Sequence, residues 1–387
     1  MKTLVISRPV YDNILPLVEF PQDGDKFFIE NSIKSFGNIG SLVAITLASY
    51  GMDVSFTGMI GEDETGRKIK EILESYRIDT QYIETSYTEK TCNNYKIYNS
   101  KTNRFTTICE KSIKNSLTKY KYEFIPEAIV MDDGDYNANL AAINNFPNSK
   151  IIYIGEKFTK DSLIYCNKCN YIIATLSFAA DATGVNSDLN KPKNILNLFQ
   201  KFIDLYNANL IIKLDNFDIL YCVNDEVRLI KNINKNIINK DNVYYSVLTY
   251  FLINTNDIET SIKYTNKVML SSSSELDMVK NIPSYNEVKS LIENIKNSNV
   301  DMNINESNIE TTSDILNNNV GVETIENVVN DGVPSVSKEE TLNNTQVVQE
   351  VTSSNDNIEY PKVNNENIQN VNPTNISNEG VNDVETL

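Results

Sequence analysis

The chain has 387 residues, long enough for one large α/β domain or two smaller ones, with 41% hydrophobic residues and a formal net charge of −17. It contains no histidine, which removes Ser-His-Asp and Cys-His catalysis, histidine general bases and histidine metal sites. From Asp301 to Leu387 sixteen acidic residues stand against two lysines, Lys338 and Lys362, so fourteen of the seventeen net charges lie there and residues 1–300 are close to neutral.

Any proton chemistry therefore falls to Asp, Glu, Lys, Tyr or Cys, and no basic footprint for nucleic acid is present. The five cysteines are an odd, sparse set that suits reduced thiols in a cytosolic protein. Cys166-Asn-Lys-Cys169 lacks a second pair, so chance spacing is preferred over a zinc site and no metal ligands are assigned. The start, MKTLVISRPV, has too short an apolar run for a signal peptide, and no stretch approaches the roughly 20 apolar residues that span a membrane. A soluble, cytoplasmic protein with no membrane partner is expected.

In chain order, Leu4-Val5-Ile6 is the first of several short apolar runs. Ala128–Met131, Ile151–Ile154, Tyr171–Ile173 and Leu210–Ile212 follow. Strands covered on both faces read this way, because a parallel sheet flanked by helices has no wet side. Leu42 to Ser49 is a nearly all-apolar helix, stopped by Gly51 before a strand at Val54-Ser55-Phe56. Thr65 to Tyr76 puts Ile69, Ile72, Leu73 and Tyr76 on one helical stripe, with Arg67 and Glu71 at i, i+4 on the other side. Residues 12–36 and 91–108 break this rhythm with mixed patterns such as Tyr95-Lys96-Ile97-Tyr98, which suit half-exposed antiparallel strands of a small projecting sheet. After about Val300 the apolar residues keep no period, and such a segment cannot offset its ordering entropy, so residues 296–387 are expected to be a disordered, acidic, Asn-rich tail.

Gly37-Asn38-Ile39-Gly40, Ala44, Tyr50-Gly51 and Phe56-Thr57-Gly58-Met59-Ile60-Gly61-Glu62-Asp63-Glu64-Thr65-Gly66 resemble the N-terminal signature of the PfkB carbohydrate kinases. Tyr11-Asp12 falls where that family has its sugar-contacting Asp, and Phe20–Gly24 at its P-x-x-G turn. Ile258–Asn266 is similar to the family's late helix and Ile282–Val288 to its closing I-P-x-x-x-E-V, so the likeness covers roughly residues 1–295. It implies a three-layer, Rossmann-like ribokinase fold with a mainly parallel central sheet and a small β-sheet lid, the lid strands lying within 12–36 and 91–108. It also implies transfer of the γ-phosphoryl of ATP, with Mg2+, to a hydroxyl of a sugar or nucleoside. A homodimer through the lid is a further possibility that the family offers.

Carried onto this sequence, the resemblance makes Asp241 the catalytic base, Asp12, Gly37 and Asn38 sugar contacts, and Lys213, Asn239, Lys240 and Asn266 nucleotide contacts. Asp241 stands 25 residues before Asn266, close to the family interval, and Val243, Val247, Tyr250 and Phe251 give the following helix an apolar face. Equally, Asp241 reads as an acidic first-turn residue favoured by the helix dipole.

The chemistry motifs depart from the family. Lys235-Asn236-Ile237-Ile238-Asn239-Lys240-Asp241 replaces D-T-x-G-A-G-D, whose glycines let backbone N–H groups approach phosphate. Thr175-Leu176-Ser177-Phe178 replaces N-x-x-E, and Lys213-Leu214-Asp215-Asn216-Phe217-Asp218 replaces T-L-G-x-x-G. The sequence is therefore read first as a degenerate kinase, weak or inactive, that binds a sugar or nucleotide. A working kinase with Asp241 as base and a non-catalytic interaction protein stand as alternatives.

Overall fold

In a computed structural model the described residues are 1–110, 113–185, 191–214, 218–231, 241–255, 257–297 and 309–312. The elements in order are β1 (Lys2–Ile6), β2 (Val10–Leu17), β3 (Ile33–Phe36), α1 (Ile39–Ser49), β4 (Asp53–Gly61), α2 (Glu64–Ser75) and β5 (Asp79–Ser86). Next come β6 (Cys92–Asn99), β7 (Arg104–Glu110), β8 (Ala128–Met131), α3 (Tyr136–Asn145), β9 (Lys150–Gly155), α4 (Ser162–Lys168) and β10 (Tyr171–Ala174). The chain continues through α5 (Leu176–Thr183), α6 (Pro192–Leu205), β11 (Asn209–Lys213), β12 (Ile219–Val223) and β13 (Glu226–Ile230). Last are α7 (Asp241–Thr255), α8 (Ile258–Val268), α9 (Tyr285–Asn297) and β14 (Ile309–Glu310).

Ten strands form the main sheet in the order β14-β13-β12-β11-β10-β9-β8-β1-β4-β5. From β11 to β5 every pairing is parallel, whereas β12, β13 and β14 join antiparallel. The apolar runs follow from this geometry. Val5, Val130, Ile152, Ile173 and Ile211 enter one core, while their neighbours Leu4, Ile129, Tyr153, Ile172 and Ile212 enter the other. With period-two alternation feeding two cores, the strands are mostly apolar, and polar residues such as Thr3, Ser55 and Thr57 are few and fully buried. Helices α1, α7 and α8 bury their apolar residues in the first core, and α3, α5 and α6 in the second, which makes three layers.

The small sheet runs β3-β2-β6-β7. Its outer pairs are antiparallel, as the sequence suggested, but β2 and β6 pair in parallel along their whole length. A local pattern carries no signal for such a pairing between strands about 80 residues apart. At the other end, β14 pairs with β13 and Glu310 meets Lys231 in an ion pair. Residues 309–312 thus belong to the folded unit although they lie past residue 295, inside the stretch expected to be tail. The rest of that tail, from 313 on, lies outside the described residues. Among the described residues no helix is long and apolar enough to cross a membrane.

The glycine-rich loop after β4 has a steric explanation. A Cβ at Gly61 would press on the Glu89 carbonyl and one at Gly66 on the Gly61 carbonyl. Asp63 caps α2 by accepting from the Gly66 amide at 2.7 Å, and it also accepts from the Thr91 amide at 2.7 Å and the Thr91 hydroxyl at 2.8 Å. That ties the loop to the strand entering the small sheet. Burial would raise the Asp63 carboxyl, but these donors outweigh it and hold the group below its usual range. Its contribution is therefore present at neutral pH and lost as pH falls through the depressed value. Asp63→Ala should cost at least ~1 kcal/mol of unfolding free energy in urea titrations at pH 7, with the deficit shrinking in acid.

Candidate active site

The first strand of the sheet, β1, has β4 on one side and β8 on the other, so the strand order reverses direction there. Open α/β sheets bind ligands in the crevice outside the carboxyl ends of strands at such a reversal. Here the two chain segments leaving the strands are joined. Ser7, just after β1, donates its hydroxyl to Asp132 Oδ2, just after β8. Asn38 donates to Ser7 Oγ and, at 3.4 Å, to the same carboxylate oxygen, and the Gly134 amide donates to Asp132 Oδ1 at 2.8 Å. Asn38 occupies the N-cap position of α1, yet its side chain makes no capping bond; it is spent on this network.

Asp132 is 8% exposed. Burial pushes its carboxyl up to about 6; the donors from Ser7 and Gly134 oppose the rise, and the neighbouring Asp133 charge adds to it. Asp133 in turn accepts from the Tyr153 hydroxyl and, at 3.4 Å, from the Glu156 amide.

A cavity of about 300 Å³ opens over this network, walled by Gly37, Asn38, Asp132, Asp133, Glu156 and the small-sheet residue Asn94, among others. Strand register explains the contribution of the small sheet. Ser35, Asp12, Asn94 and Cys109 form one rung across its four strands, and directly opposed residues share a face. Arg8 also borders the cavity, but its guanidinium donates to the carbonyls of Ile113 at 2.9 Å and Asn115 at 3.2 Å.

Of the expected sugar contacts, Gly37 and Asn38 lie in the cavity wall. Asp12 lies behind it and is fully buried. Its Oδ1 accepts from Asn94 Nδ2 at 2.8 Å, the Lys96 ammonium lies against Oδ2, and a Cβ on Gly37 would collide with the carboxylate. Gly37 is glycine because the backbone passes directly over Asp12. The carboxylate is thereby a fixed anchor between β2, β6 and the chain entering α1.

Asp241 is the first residue of α7. Thr46 hydrogen-bonds Ser246 at 2.9 Å and the Tyr50 ring meets the Tyr250 ring edge-on at 5.0 Å. Two contacts at the same offset of 200 residues mean that α1 and α7 run parallel, so both helices begin at the same edge. Consistently, the far end of α7 meets the start of β9, where Lys150 donates to the carbonyls of Leu252 at 3.0 Å and Ile253 at 2.8 Å. Asp241 therefore lies at the carboxyl edge of the sheet, level with the first turn of α1. Lys213, the last residue of β11, sends its ammonium 2.9 Å from Asp241 Oδ1, with a side chain only 7% exposed against 57% for the aspartate.

Asn266, on α8, accepts from the buried Tyr244 hydroxyl at 2.7 Å, which fixes its amide against α7. Asn239 and Lys240 lie outside the described residues, as do residues 215–217. Phe178, where an acid was expected from the resemblance, is fully buried and packs on Tyr153 and Phe158. Thr175 caps α5 there by accepting from the Phe178 amide at 3.2 Å.

Sequence reasoning did not pick out Ser7, Asn94, Lys96, Asp132, Asp133 or Glu156. A signal existed for two of them: Asp132-Asp133-Gly134 directly follows a buried strand, at the strand end where ligands bind. Asn94 and Lys96 depend on the register of β6 against β2, which local pattern does not encode.

A mainly parallel three-layer sheet with a small sheet over its carboxyl edge, and two helix N-termini converging there, defines a ribokinase-type fold. The chain belongs to the pfkB family of carbohydrate kinases, whose family model matches residues 40–274. Solved structures share the fold at low identity. A candidate ribokinase from Agrobacterium tumefaciens superposes with a TM-score of 0.65 at 12% identity, covering 77% of this chain and 99% of that one. Ribokinase from Arabidopsis thaliana, solved with ribose and ATP, gives 0.60 at 13%, covering 75% and 98%. The nucleoside kinase of Methanocaldococcus jannaschii gives 0.58 at 14%, covering 76% and 98%.

Asp132 has a pH signature. Its folded-state value lies above the ordinary carboxylate range, so as pH rises the unfolded chain releases this proton first. Stability should fall between about pH 4 and 6, by on the order of 3 kcal/mol for a shift of two units, and then level off. In Asp132→Asn that downward slope should disappear from urea-derived stabilities, even though absolute stability drops because one face of the amide must meet a donor.

Proposed function

We propose that this chain is a degenerate pfkB-family kinase, which binds a sugar or nucleoside in the cavity beneath the small sheet and is weak or inactive in phosphoryl transfer. The observation that carries this reading is the state of Asp241. The base must take a proton from the attacking hydroxyl, but one oxygen of Asp241 is already engaged by a buried ammonium, that of Lys213. The residues leading to it, Lys235 to Lys240, hold no glycine where the family cradles phosphate on bare backbone. Losing one oxyanion donor commonly costs about a hundred- to a thousandfold in rate, and a β-branched residue such as Ile238 lacks the backbone freedom of the glycine it stands in for.

The donor set also fits a magnesium–nucleotide complex poorly. The carboxyl end of β10 presents Thr175, Leu176 and Ser177, and the position where the resemblance implies an acid is a core phenylalanine, so no carboxylate to hold magnesium is supplied at that station. What the chain supplies itself is ligand positioning: acceptors from Asp132 and Asp133, carboxamides from Asn38 and Asn94, and a small sheet to exclude water.

One observation favours the second reading, an active ATP-dependent phosphotransferase. Asp241 is half-exposed at a helix N-terminus, and Lys213 puts a fixed positive charge where phosphoryl charge would develop. Steady-state assays decide between the two. With ATP, magnesium and a panel of sugars and nucleosides, turnover should stay at least a thousandfold below the median enzyme rate of about 10 s⁻¹ and change little in Asp241→Asn. Turnover at ordinary kinase rates, abolished by that substitution, would establish the active reading instead.

A further inference from the structure

Asp132 is a buried acid at the edge of a cavity, and its hydrogen-bond partners are Ser7, Asn38 and Gly134, all neutral. Among the described residues no lysine or arginine forms an ion pair with it, in contrast to Asp12, which has Lys96, and Asp241, which has Lys213. A buried carboxylate without a counter-charge is a costly arrangement, relieved either by protonation or by a cation brought from outside. The cavity is where such a cation could enter. Asp133 and Glu156 border it as well. Arg8, a cation in the same wall, is turned to the carbonyls of Ile113 and Asn115.

The geometry points to an amino sugar as the ligand, its ammonium seated against Asp132 and its hydroxyls meeting Asn38 and Asn94. This rests on the reading of the cavity as a sugar site and is independent of whether phosphoryl transfer survives. The carboxylates of the wall accept hydrogen bonds and donate none at neutral pH when ionised, so the guest must supply donors. An ammonium supplies three, together with the missing charge. A phosphate ester would bring like charge against Asp132, which disfavours phosphosugars.

The test is isothermal titration of the full chain at pH 7 with glucose, mannose and galactose, with their 2-amino counterparts glucosamine, mannosamine and galactosamine, and with glucose 6-phosphate. At least one amino sugar should bind ten times more tightly than its parent or better, and glucose 6-phosphate more weakly than glucose. Asp132→Asn should weaken amino-sugar binding at least tenfold more than parent-sugar binding, so that the ratio of the two affinities falls to near one. Asp133→Asn, which changes a more exposed residue, should reduce the preference severalfold and keeps the test decisive where the buried substitution impairs folding. Equal binding of every amine and its parent by the wild type overturns the amino-sugar assignment and leaves the sugar site standing. Tight binding of glucose 6-phosphate overturns it too. If no sugar of any class binds, the sugar site itself falls, and this assignment with it.

Discussion

The parallel packing of α1 on α7 is the constraint on which the arrangement of the site depends. Both helices are buried almost all round: Ile39 to Leu47 in one, Val243 to Ile253 in the other. Helices of that kind are held by apolar contact on every side, without a solvated face. Parallel alignment sets their dipoles side by side in the same sense, which is electrostatically unfavourable. The apolar burial offsets it, and Lys150 helps at the far end by bonding the last carbonyls of α7. The consequence is that two positive helix ends reach one edge of the sheet, where Asn38 begins one helix and Asp241 the other. Without that register the candidate base would not lie on the same edge as the cavity.

How far the sequence foretold this can be followed residue by residue. The buried strands were legible because each one feeds two cores at once, which disfavours polar positions and leaves continuous apolar runs such as Ile151 to Ile154. Gly51 was legible as a helix stop, and it adopts a left-handed φ of 83° directly after α1. The antiparallel hairpin of β12 and β13 was passed over although its signal was present. Asn224 and Asp225 both take positive φ in a two-residue turn, a conformation those side chains tolerate well. Asp12 was found as a position, but not its condition. Its burial under Gly37 and its pairing with Lys96 are products of the β2–β6 register, a relation between distant segments that no local periodicity records.

The residues that did resemble the family most closely answer to sterics more than to chemistry. Gly61 and Gly66 are required by carbonyls pressed against them, and Asp63 is required by a helix start and by Thr91 at the root of the small sheet. A chain can keep every one of these and fold correctly with no phosphate ever bound. On the proposed reading, residues 235–240, Phe178 and residues 215–218 answer to a different demand, the placement of charge and bare backbone around a reacting phosphoryl group. Those positions carry branched, amide and aromatic side chains such as Ile238, Asn239 and Phe178. Packing and catalysis thus draw on separate residues within one domain, so a strong family signature fixes the architecture while leaving the chemistry to be decided by the second set alone.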